Sequence, residues 1–182
     1  MMNFRDLDGR IRGCMLDEIR SDYADGTLYI SNRLSARGRL DWPDLLAAAA
    51  EHGSEDDLAV ELRRYGRMEV QEVSHRRGKA YLKAMPSDAP VTLAEGEFNR
   101  FYVRAICMAA IDDGQADVGV YRAKEVRQPR RASLMLDGTT LDAASLLIDL
   151  RNHQGVDTAL GLPPGPNSGM SAHLLRGSGH LG

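Results

Sequence analysis

The stretch EGEFNRFYVRAICMAAIDDG, residues 95–114, decides the fold. Phe98, Phe101, Tyr102, Ala105, Ile106 and Ala109 recur at spacings of three and four, which puts them on one wide apolar face of a helix, with Arg100 and Arg104 four apart on another. Two of the chain's three phenylalanines lie here, so the stripe reads as the centre of a core rather than a cofactor box. Gly114 stops the helix.

Outward to the N-terminal side, MPSDAP places two prolines beside a serine and an aspartate, a chain break and a soft subdomain boundary near residues 85–91. Ahead of it, RMEVQEVSHRRGKAYLKAM, residues 67–85, alternates on both sides of HRRG and predicts a β-hairpin whose turn gathers His75, Arg76, Arg77 and Lys79. Three further helices precede the hairpin. Leu7, Ile11, Cys14, Met15, Ile19 and Tyr23 share a face of the first, which Asp25-Gly26 ends, and TLYI at 27–30 follows as a short strand. Pro43 suits the first turn of a second helix that closes at Gly53. Ser54 caps a third, with Glu55, Asp56 and Asp57 in its positive first turn.

On the C-terminal side, DVGVYRAKEV reads as a strand with Val118 and Val120 opposite Tyr121 and Ala123. A last helix follows, with Thr140 as N-cap, Leu141, Leu146, Leu147 and Leu150 as its apolar positions, and Gly155 as its end. The pattern predicts an α+β fold of four to five helices, a β-hairpin and one or two further short strands, in a single domain over 1–160. Residues 161–182, rich in glycine and proline, predict an extended arm in which Leu162, Pro163, Pro164, Met170, Leu174 and Leu175 touch a partner, the prolines reducing the entropy lost on docking.

Composition narrows the function classes. The chain has 182 residues, 43% hydrophobic and 27% charged, as a globular domain does. The N-terminal segment MMNFRDLDGRIRG carries acids and lacks the apolar run of a secretory signal, which predicts a cytoplasmic protein, or a virion component if phage-borne, with no membrane partner. Cys14 and Cys107 lie within helical stripes and read as free thiols. Net charge is only −3, too little basic excess for a general DNA coat, but it is uneven. Residues 1–60 hold 7 basic and 12 acidic side chains, whereas 61–90 hold 7 and 4.

No phosphate-cradling loop, dinucleotide fingerprint, HExxH or paired CxxC occurs, and the five histidines are scattered, so the sequence nominates no catalytic residue, metal or cofactor. Two basic clusters are candidate phosphate-binding sites: Arg76, Arg77 and Lys79 at the hairpin tip, and Arg122, Lys124, Arg127, Arg130 and Arg131 after the back strand. A third reading is a metal-dependent nuclease using Glu95 or Glu97 with Lys124 and Glu125, although the acid-x-lysine order is absent.

At EGEFNRFYVRAIC, VYRAKEV and GVDTALGLPPGPNSGMS, spanning residues 93–171, the chain resembles uncharacterised bacterial and phage-borne proteins of the phage or prophage structural type. That resemblance implies a non-enzymatic structural or assembly protein that works by self-association or with a protein partner. Nucleic-acid association through the basic clusters is the first alternative and nuclease activity the second.

Overall fold

The computed structural model describes residues 1–126, 131–153 and 169–175. Along the chain run α1 (Gly9–Ala24), α2 (Ala36–His52), α3 (Glu55–Leu62), β1 (Gln71–Arg76), β2 (Lys79–Ala84), α4 (Ala89–Asp112), β3 (Asp117–Arg122), α5 (Arg131–Leu136), β4 (Thr140–Asp142), α6 (Ala143–Asn152) and β5 (Met170–Leu174). The fold is α+β, with six helices and two small antiparallel sheets among the described residues.

The residue 95–114 stripe lies within α4, which begins earlier than the stripe, at Ala89, with Pro90 in its first turn. Proline costs nothing there because the first helical N–H groups have no intrahelical acceptor. Phe98, Tyr102, Ala105, Ile106 and Ala109 are fully buried, and α1, α3 and α6 pack around the helix. One core cluster runs from Ile11 to Ala172 and takes residues from both sides of Pro86. The 85–90 break is therefore the link from hairpin to α4, and the core continues across it.

Helix α1 shows what periodicity alone misses. Ile11, Met15 and Ile19 are buried as their spacing predicts, but Tyr23 is exposed while Glu18 and Asp22 are buried. The cause is Arg104 of α4. Its Nε donates to Glu18 Oε2 at 2.6 Å, and its Nη1 and Nη2 donate to the Asp22 carboxylate at 2.6 and 2.9 Å. Arg151 of α6 donates to the same Glu18 at 2.5 and 3.1 Å. Burial alone would push the Glu18 carboxyl up, but Arg151 and Arg104 outweigh it and hold Glu18 below the usual carboxylate range.

Three sequence expectations move. Residues 27–30 form no strand, because the Thr27 and Leu28 N–H groups donate to the Asp22 carbonyl and wrap the end of α1. Helix α2 starts at Ala36 rather than at Pro43, which lies inside it. Ser35 is the cap, its hydroxyl accepting from Gly38 N, and Trp42 is buried with its indole N–H on the Tyr29 carbonyl. Helix α6 is capped by Asp142, whose carboxylate accepts from Ser145 N at 2.8 Å, because Thr140–Asp142 pairs with β3 as a strand instead. Ser54 caps α3 as expected, accepting from Asp57 N. Gly155 lies outside the described residues.

The three-stranded sheet has the order β4-β3-β5. Val118 and Val120 face the main core, while Tyr121 and Ala123 face the N-terminal segment, where they pack with Met2 and Phe4. Strand β5 is built from residues read as arm. Met170 pairs with Arg122 and Leu174 with Val118, Met170 is fully buried, and Leu175 follows half-buried. Asn99 of α4 ties this strand down by donating to the Met170 carbonyl and accepting from the Ser171 hydroxyl. Met170 and Leu174 are thus engaged within their own domain; Leu162, Pro163 and Pro164 lie outside the described residues.

Candidate nucleic-acid interface

The β1–β2 hairpin is the two-stranded sheet, and among the described residues neither strand pairs with any other strand. Its register fixes two faces. Gln71↔Ala84, Val73↔Leu82 and His75↔Ala80 share one; Glu72↔Lys83, Ser74↔Tyr81 and Arg76↔Lys79 share the other. The second face is anchored at its base. Glu72 accepts from Arg33 Nε at 2.8 Å and pairs with Lys83 Nζ at 2.9 Å. Lys83, with Arg33 beside it, holds the Glu72 carboxyl below the usual range.

Toward the tip that compensation stops. Arg76 and Lys79 stand directly opposite one another, and Arg77 and Gly78 make the turn with φ of 50° and 77°. Two left-handed residues match the twist of a tight hairpin, a conformation that glycine and asparagine adopt easily. Arginine there costs about 1 kcal/mol. Like charges directly across a strand pair are also unfavourable. Arg76, Arg77, Lys79 and the Tyr81 ring line one open hollow. Among the described residues none of these three cations forms an ion pair, whereas Lys83 does.

Two members of the second basic cluster have carboxylate partners. Lys124 Nζ forms an ion pair with Glu95 of α4, and Arg122 lies 3.7 Å from Asp137. Arg131 is exposed at the start of α5, and Arg127 and Arg130 lie outside the described residues. The nuclease set does not converge on an open carboxylate site. Glu95 is buried against Lys124, Glu97 is buried 3.4 Å from Arg100, and among the described residues no three of His, Cys, Asp and Glu gather at metal-binding distance.

The residues that sequence reading missed are the buried ions Glu18, Asp22 and Arg104, with the more exposed Arg151 on Glu18, which join α1, α4 and α6. Their local signal was two acids four apart beside the apolar stripe of α1, positions that need a cation only if they are buried. No helix among the described residues is long and apolar enough to cross a membrane.

The chain is an α+β domain bearing a projecting basic hairpin. Comparison with protein-family models, curated proteins and solved structures finds no match to it.

Proposed function

We propose that the protein associates with nucleic acid, gripping backbone phosphates with Arg76, Arg77 and Lys79 at the tip of the β1–β2 hairpin. One observation carries this reading: three cations without carboxylate partners among the described residues surround an exposed tyrosine at a turn where both the left-handed arginine and the Arg76↔Lys79 pair are locally unfavourable. A phosphate between them would relieve the like-charge pair and give the guanidinium groups a matched acceptor. Tyr81 offers a face on which a base can stack. Such contacts hold the backbone without reading sequence.

The net charge of −3 and the acidic first 60 residues make the attraction local to the hairpin, so binding is modest and steeply salt-sensitive. A mobility shift with duplex and single-stranded DNA at low salt tests this. A shift that disappears in the Arg76→Ala/Arg77→Ala/Lys79→Ala variant is the expected result, and no shift with the unaltered protein overturns it.

A structural or assembly role is the second reading. It is favoured by exposed apolar side chains, among them Val73 and Leu82 on the hairpin and Leu134 and Met135 on α5. With Met170 and Leu174 paired to β3, this reading rests on those surfaces rather than on a C-terminal arm.

A further inference from the structure

We infer that the Val73–Leu82 face of the hairpin packs against the same face of a second copy of this chain. Val73 is 61% exposed and Leu82 65%, although they are directly cross-strand partners in the middle of the ribbon. Val73↔Leu82 is the central pair of that face, flanked by Gln71↔Ala84 on one side and His75↔Ala80 on the other. Two branched apolar side chains at the centre with an alanine on either side form a surface that a neighbouring backbone can approach closely. A two-stranded hairpin on its own is marginal in water, and covering one apolar face is what makes such a ribbon stable.

The layout of charge selects the occupant. Arg76, Lys79, Lys83 and Glu72 all lie on the opposite face, and Arg77 is in the turn, so the Val73–Leu82 face carries no lysine, arginine, aspartate or glutamate. A nucleic acid on this face would find no cation to meet its phosphates. An identical uncharged face fits it. Packing across a two-fold axis sets the Val73/Leu82 pair of one copy against that of the other and leaves both sets of cations on the outside of a four-stranded sandwich. No like charges are then buried at the contact, and two phosphate-gripping tips belong to one particle.

The inference stands apart from the phosphate reading, and one experiment separates them. Light scattering after size-exclusion chromatography, over a range of protein concentration, compares the unaltered chain with Val73→Lys/Leu82→Thr and with Arg76→Ala/Arg77→Ala/Lys79→Ala. Threonine keeps a β-branched side chain in the strand, and lysine places a cation against its own copy across the axis. The expected result is a dimer for the unaltered chain, association weakened by about tenfold or more so that the first variant shifts toward monomer, and an intact dimer in the second. Circular dichroism and hairpin amide exchange confirm that both variants fold. A monomer at every concentration, or a dimer unchanged in folded Val73→Lys/Leu82→Thr, overturns the inference. Loss of DNA binding in the second variant with the dimer intact leaves the two readings independent.

Discussion

Arg76 and Lys79 face each other as the last pair of the β1–β2 ladder, two cations joined by a turn that holds a third. The only carboxylate on the hairpin, Glu72, is at the other end and is occupied by Arg33 and Lys83. Under the proposed reading, an anion at the tip would supply the countercharge that the ladder itself lacks there.

Arg77 is the clearest case of local stability conflicting with that arrangement. Replacing it by asparagine, which tolerates the left-handed conformation, removes about 1 kcal/mol of strain. Hairpin amides in Arg77→Asn are expected to exchange more slowly than in the unaltered protein, while affinity for DNA falls. Faster exchange would mean that the arginine stabilises the turn.

Arg104 is the centre of the buried ionic cluster. Arg104→Ala removes the buried cation that Glu18 and Asp22 share, leaving Arg151 on Glu18, and is expected to cost about 3–5 kcal/mol in denaturant unfolding, well beyond a surface ion pair. A loss below about 1 kcal/mol would show that water or Arg151 replaces it.

Glu18 also sets an acid limit. Because its folded carboxyl titrates below the usual range, its contribution is fully present above the unfolded value of about 4.3 and is lost as pH falls through the folded one. Unfolding free energy should decline below that region. Glu18→Gln should be less stable at neutral pH and show a shallower decline. An acid limb of unchanged steepness in the variant would assign it to other carboxylates.

Two helical glycines should respond in opposite directions. Gly13 in α1 is exposed, and a methyl group there would meet nothing within 4 Å, so Gly13→Ala should stabilise by about 0.5–1 kcal/mol. A Cβ on Gly38 in α2 would lie 2.0 Å from the Arg67 carbonyl oxygen, a main-chain atom that also accepts from Ser35 N. Gly38→Ala should cost about 1–3 kcal/mol by forcing the two segments apart. Thermal melts of both variants measure this contrast.

The parts of the fold that were legible in the sequence are those set by local physics: the stripe of α4, the Ser54 cap, the alternation of the hairpin and the two faces of β3. What escaped depended on distant partners. Tyr23 continues the spacing of α1, yet Asp22 is the buried residue, because the deciding group is Arg104, 82 positions away. Thr140 looks like a helix cap until Gly119 and Val118 recruit it and Leu141 into a ladder. Met170–Leu174 follows a glycine- and proline-rich run, and only the free edge of β3 makes it a strand. The hairpin cluster was visible because its basic residues fall within the five consecutive positions 75–79, while the pairing of Lys124 with Glu95 had no local signal.

The salt dependence of DNA affinity tests the central claim most directly. If Arg76, Arg77 and Lys79 each displace a counterion, log K against log salt should fall with a slope of about −3, and the triple alanine variant should lose that slope along with the binding. Binding that does not change with salt, or a slope retained in the triple variant, would contradict a phosphate-gripping hairpin.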